Sequence, residues 1–234
     1  MLLLSACVHS SPKATSTAPS TPSAIHGRVV FQGEVPPPRV TPAPPPLTAV
    51  FPEGIVSAPY RVSSDRGLAE VVVSIVNPPS VRTAPSPPPP SLVVSNTVCQ
   101  PRVLAVQTDQ PVRFTVRGGR MLNLSAVGPE HGGWNRAVTT DSDFEKHFPV
   151  AGVRYRITDN VHPWLVASIW TFDHPWFAVT EADGTFELPP LPPGRYTLQL
   201  EHRAGGRSTQ EIDVPGTGEP LALTMLAAGR SPAP

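Results

Sequence analysis

Proline punctuates this chain so densely that regular helix has little room to form. The sequence holds 33 prolines in 234 residues, well above the roughly 5% of an average protein. Each proline lacks an amide donor and clashes with the carbonyl one turn earlier, so a helix interior rejects it. No segment shows the i, i+3, i+4 spacing of an amphipathic helix; apolar residues alternate or run in short blocks. The expectation is an all-β chain with long proline-bearing loops. Charge adds little. The 18 basic and 18 acidic residues balance, and the basic ones are scattered, so no nucleic acid or anionic surface is expected as partner. No later stretch reaches the ~18 uninterrupted apolar residues that cross a bilayer. Two cysteines, Cys7 and Cys99, are too few for a disulfide scaffold or a cysteine-rich zinc site.

Strand signals begin at Ile25–Phe31, followed by a polar, proline-rich loop over about 36–63. "LAEVVVSIV" (68–76) has the β-branched character of a buried strand. Further strands are expected in "RVLAVQT" (102–108), "PVRFTVRG" (111–118), "MLNLSAV" (121–127), "GVRYRITD" (152–159) and "WLVASIWTF" (164–172). The stretch "GPEHGGWNRAVTTDSD" (128–143) reads as a loop, and Pro87–Pro90 as a polyproline spacer. Asp183-Gly184, between alternating runs, is a hairpin signal. Pro192-Pro193-Gly194 makes the next turn, and Tyr196–Glu201 the strand after it. About ten strands with turns every 8–12 residues describe a sandwich or barrel.

The chain opens "MLLLSACVHS". Leu4-Ser5-Ala6-Cys7 resembles a bacterial lipobox, which implies lipidation of Cys7 and a membrane anchor. Residues 1–7 then read as a truncated signal, since only six residues precede Cys7 and a working signal needs a charged start. Residues 8–23, rich in Ser, Thr, Ala and Pro, cannot bury a core and read as a tether. The implied location is the bacterial cell envelope, periplasmic or surface-exposed.

Two family resemblances interleave in the body. "VTEADGTFELPPLPPGRYTLQLEH" (179–202) resembles a carboxypeptidase regulatory-like domain, a small transthyretin-like β-sandwich. Asp183, Gly184, Phe186, Leu191, Pro192, Pro193, Gly194 and Tyr196 match its pattern, and "GRVVFQG" with "AEVVVSI" resembles its opening strands. Between these pieces, "CQPRVLAVQTDQPVRFTVRGGRMLNLSAV" through "VRYRITDNVHPWLVASIWTFDHPWFAVT" resembles the cupredoxin-like domain of envelope proteins, of plastocyanin-like or methylamine-utilisation-like type. Its two His-Pro-Trp motifs carry the likeness. The expected architecture is all-β: a cupredoxin-like sandwich, 92–173, nested in or packed on a split transthyretin/Ig-like sandwich, 24–80 plus 174–227, with residues 228–234 as a tail. One continuous irregular sandwich is the alternative.

The cupredoxin resemblance implies copper held by two histidines, a cysteine thiolate and a weak axial methionine. Position by position, the first histidine aligns with Leu122, the cysteine with Asp159, the second histidine with His162 and the methionine with Leu165. Three of the four donors are replaced. Leucine offers no lone pair, and one carboxylate with one imidazole is not a transition-metal site. The expectation is no cofactor. The alternative is copper at a remodelled site of His162, Asp159 and His131, with Met121, His147 and His174 as further donors. Asp159 and His162 are spaced to form a carboxylate–imidazole pair shaping the turn. No motif places a nucleophile beside them, so no enzyme activity is expected. Cys99, ahead of "RVLAV", reads as a buried thiol. Asp141, Asp143 and Glu145 offer calcium oxygens or a solvated loop. Trp134, Trp164, Trp170 and Trp176 offer a sugar-stacking patch or core packing. Together these readings describe a non-enzymatic envelope lipoprotein acting as a binding or structural module. The alternatives are copper electron transfer and a glycan- or peptide-binding surface module. Expected partners are the membrane, through Cys7, and an envelope protein or glycan.

Overall fold

The computed structural model describes residues 22–80, 89–128, 133–214 and 220–226. Cys7, His131, most of the tether, part of the proline run and the tail lie outside them. The chain is all-β. Among the described residues the one helical piece is a 3-10 turn, Pro45–Leu47, whose prolines sit at the first turn, where no amide is missed.

Four strands precede the middle of the chain: β1 (Ser23–Gln32), β2 (Arg39–Thr41), β3 (Ile55–Ser57) and β4 (Val72–Ile75). The middle supplies β5 (Ser91–Ser95), β6 (Val98–Gln100), β7 (Val103–Gln107), β8 (Val112–Arg117), β9 (Leu122–Val127), β10 (Trp134–Val138), β11 (Ser142–Lys146), β12 (Arg154–Asp159) and β13 (Val166–Phe172). The last part supplies β14 (Phe177–Val179), β15 (Thr185–Leu191), β16 (Gly194–His202), β17 (Gly206–Val214) and β18 (Leu221–Leu226).

Apart from the two-stranded β2-β3 sheet, the strands sort into two sandwiches. Sheets β10-β9-β12-β13-β7 and β11-β8-β5-β6 are built wholly from residues 91–172. They face each other across a core that includes Leu92, Phe114, Leu124, Tyr155 and Ile169. Sheets β15-β1-β18 and β14-β4-β16-β17 draw their strands from both sides of that segment. Their shared core includes Val29, Phe31, Val73, Leu188, Leu200 and Leu223. Alternation does the sorting locally: in β1, Ile25, Val29 and Phe31 turn inward while Ala24, His26 and Gln32 stay exposed.

β13 is buried on both faces, for one reason. In β13, Ala167 and Ile169 face the inner core, whereas Trp170 and Phe172 point outward. They meet Val72 of β4 together with Phe177 and Val179 of β14, joining the sandwiches back to back. A strand buried on both sides reads as a continuous apolar run rather than an alternating one. Burying side chains of this size contributes roughly 1.5–3 kcal/mol each.

Several local expectations are corrected. Asp183-Gly184 does form a tight turn, with the Gly184 amide donating to the Glu181 carbonyl (2.9 Å). It is not a hairpin, because β14 pairs with β4 and β15 with β1. Thr180 ties the incoming chain to the β4 approach, its hydroxyl accepting from the Val71 amide (3.0 Å) and donating to the Leu68 carbonyl (2.7 Å). Gly184 then hands the chain to β1, its carbonyl accepting from the Val29 amide (2.9 Å). A Cβ on Gly184 would stand 2.5 Å from the Val29 carbonyl oxygen, and its φ is +86°. The long hairpin is β16–β17, joined through Arg203-Ala204-Gly205. The proline-rich loop contains the β2–β3 ribbon, and the 128–143 stretch contains β10 and the start of β11. The pair β5–β6 turns through Asn96 and Thr97, both at positive φ (48° and 65°). A two-residue turn of that hand normally carries glycine; a threonine there gave no sequence signal.

Candidate functional site

Asp159 ends β12, opposite Leu124 near the start of β9. It is 2% exposed, and its carboxylate is filled by protein donors. One oxygen accepts the Asn123 amide (2.5 Å). The other accepts the His162 amide (3.0 Å) and meets His162 Nδ1 at 2.5 Å. The loop 160–165 is held further by the Asn160 amide on the Asn123 carbonyl (3.1 Å) and the Leu165 amide on the His162 carbonyl (2.9 Å). Trp164 packs edge-on to His162, with ring centroids 5.3 Å apart. Its indole N–H donates to the Thr97 hydroxyl (3.1 Å), fastening the loop to the β5–β6 turn. A buried carboxylate is tolerated because it is fully hydrogen-bonded.

The structure brings Asp159 and His162 together and buries Leu122 and Leu165 beside them in the inner core. Cys99 joins that core from within β6, one strand earlier than its expected place before β7. Burial first, and the charge of Asp159 second, push its thiol up to about 12. The thiolate is the form that ligates metals and attacks electrophiles, so at neutral pH Cys99 is inert packing. Copper of the cupredoxin kind needs a thiolate and two imidazoles. Here the donors are one imidazole turned onto a carboxylate, two leucines and a protonated thiol; this set does not fit. Among the described residues no group of three or more His, Cys, Asp or Glu is arranged to hold a metal ion.

The remaining candidates are engaged elsewhere. His147 Nδ1 meets the Asp109 carbonyl (2.8 Å) at the surface. His174 is buried between the sandwiches, its Nδ1 accepting the Trp176 amide (3.2 Å), and burial lowers its pKa. Met121 is exposed. Asp141 accepts the Gly118 and Gly119 amides (2.9 and 3.0 Å). Asp143 grips Arg117 with both oxygens (2.9 and 3.0 Å), which holds its carboxyl below the usual range, and Glu145 pairs with Arg113 (3.5 Å). The calcium reading thus meets three separately engaged side chains. Trp134 packs on Phe114 and Phe144, Trp170 lies between the sandwiches, and Trp176 sits in the split core with its indole on the Pro190 carbonyl (3.1 Å). Of the four, Trp164 alone lines a large groove.

Sequence reasoning missed Glu70. It is 6% exposed at φ +65°, and Arg61 (3.4 Å), Arg102 (3.5 Å) and Arg203 (3.7 Å) surround its carboxylate. The lone acidic residue inside "LAEVVVSIV" was the available signal, since a charge in a buried strand needs a partner. Arg61 is nine residues away, but Arg102 and Arg203 come from distant segments and were invisible in one dimension.

No protein family and no curated protein matches the chain. Similar solved structures include a reduced mutant of amicyanin, 15% identical, covering 36% of this chain and 81% of that one with a TM-score of 0.32. Another is a purple cupredoxin from Nitrosopumilus maritimus, 18% identical over 35% of this chain and 98% of that one, TM-score 0.31. A third is a copper-containing nitrite reductase from Thermus scotoductus SA-01, 17% identical over 42% of this chain and 26% of that one, TM-score 0.34.

Proposed function

We propose that this chain is a non-enzymatic binding or structural module of the cell envelope, anchored through Cys7. In this reading its inner sandwich, 92–173, is cupredoxin-like, with the metal end rebuilt from protein hydrogen bonds. The split unit, 24–80 plus 174–227, is a carboxypeptidase regulatory-like spacer. The observation that carries the reading is the Asp159 carboxylate. At the position aligned with a thiolate ligand stands a buried group already filled by Asn123 and His162. A carboxylate so bonded holds the turn closed and offers a metal little.

Copper(II) titration of the full chain tests this. The expected result is neither stoichiometric binding nor an intense visible thiolate-to-copper band. A one-to-one band lost in Cys99→Ser would establish copper electron transfer instead. Tight colourless binding lost in His162→Ala would establish a remodelled site. Restoring the aligned donors in one variant, Leu122→His with Asp159→Cys and Leu165→Met, is expected to produce the band. A folded variant that binds no copper would count against the cupredoxin-like reading. The anchor is tested by mass spectrometry of Cys7 in a chain carrying a functional upstream signal; an unmodified thiol there ends that part of the proposal.

A further inference from the structure

A groove of about 830 Å³ runs between the outer face of the β12–β13 sheet and the β2–β3 ribbon, and five arginines line it: Arg39, Arg102, Arg154, Arg156 and Arg203. None of its lining residues is acidic. The chain as a whole is neutral, with 18 basic and 18 acidic residues, so this is a local concentration of one sign. Two of the five form a fixed floor. Arg102 and Arg203 both donate to the Ala58 carbonyl (3.4 and 2.9 Å), and both lean on the buried Glu70 (3.5 and 3.7 Å).

The other three are different. Arg39, Arg154 and Arg156 are exposed, and none has an acidic partner among the described residues. Arg154 lies over the Trp170 ring at 5.6 Å, which orients its guanidinium without neutralising it. Arg154 and Arg156 are two apart on β12, so both project from the same face of the sheet. Trp164 forms part of the wall. Guanidinium is planar, always charged and matches oxyanions with two parallel N–H bonds. A groove lined by one sign of charge also focuses the field on what enters it.

We propose that this groove binds a ligand bearing several oxyanion groups, carboxylate or phosphate, held by Arg154, Arg156 and Arg39 above the Arg102–Arg203 floor. Its arginines lie outside the Asp159 turn, which lends the groove only the wall residues Pro163 and Trp164, so the proposal does not depend on whether that turn holds a metal.

Isothermal titration of the full chain with citrate and with pyrophosphate, at low and at raised salt, tests the proposal. Binding of at least one is expected, weakening as salt rises because the contacts are charged. Citrate alone would assign carboxylate, pyrophosphate alone phosphate. Arg154→Gln with Arg156→Gln is expected to weaken binding at least about tenfold, with the thermal midpoint and the copper titration unchanged. Arg154→Lys with Arg156→Lys, which keeps charge but loses the fork, should fall between. Arg195→Gln with Arg207→Gln, remote on the β16–β17 hairpin, should bind as the parent does. No binding of either ion at low salt overturns the proposal, as does an equal loss in the hairpin pair, which would mean general charge attraction.

Discussion

At Asp159 a single atom decides the outcome. Its two carboxylate oxygens face three donors, the Asn123 amide, the His162 amide and His162 Nδ1. In Asp159→Asn one oxygen becomes an NH2 group. Whichever way the amide turns, that NH2 meets a backbone N–H, donor against donor. A buried unsatisfied donor costs about 1–3 kcal/mol. For a chain of this size each kcal/mol moves the thermal midpoint by roughly 2–4 °C. Scanning calorimetry should therefore show a fall of several degrees, and an unchanged midpoint would mean these bonds do not hold the turn. The sequence made the pair legible because Asp159 and His162 are three apart in one motif. It did not show Asn123, which closes the cage from 36 residues away. Nor did it show that Cys99 lies in a strand, since β6 is three residues long.

The β16–β17 hairpin turns on His202. Its Nδ1 accepts the Ala204 and Gly205 amides (3.3 and 3.0 Å), and its ring stacks on Tyr60 with centroids 5.0 Å apart. Burial pushes the imidazole down from 6.5 to about 4, although Glu70 pulls the other way. The folded state therefore takes a proton less readily than the unfolded chain. Above about pH 6.5 neither state is protonated and the contribution is whole. As pH falls toward 4 the unfolded chain protonates first, and stability drains away at up to about 1.4 kcal/mol per pH unit. Below that point this residue changes nothing further. His202→Asn keeps an acceptor for both amides and removes the titration. Urea unfolding between about pH 7 and about pH 4.5 should show a flatter dependence in the variant; matching slopes would place the sensitivity elsewhere. This hairpin also shows where elements were hard to read. Asp183-Gly184 carried the stronger turn signal, yet Thr180 and Gly184 divert its strands into different sheets. The run 164–172 was legible as β13 because burial on both faces leaves no alternation to misread, whereas the run 68–76 yields only β4, 72–75, since Glu70 at positive φ breaks it. Short strands at ribbon edges, β2, β3 and β6, carry too few residues to show a period.

Across the whole molecule, charge balance concealed the arginine groove, because its arginines are scattered over residues 39–203 and converge only in the fold. The same convergence couples the two sandwiches. Glu70, in the split unit, is shared between Arg61 and Arg203 of that unit and Arg102 of the inner one. Beside it, Trp170 and Phe172 press on Val72, Phe177 and Val179. Each sandwich has its own core, so each has the means to stay folded if the contact between them weakens. The parent chain is expected to unfold in one transition, because the apolar contact and the Glu70 cluster act on the same boundary. Phe172→Ala removes the last side chain of β13 and leaves a cavity at that boundary, a change that costs about 3–5 kcal/mol for a buried phenylalanine. The loss falls on the coupling rather than on either core. Calorimetry of the variant should resolve two transitions, with the total enthalpy exceeding the van't Hoff enthalpy of the first. A single transition, merely lowered, would show that the sandwiches depend on each other more deeply than their separate cores imply.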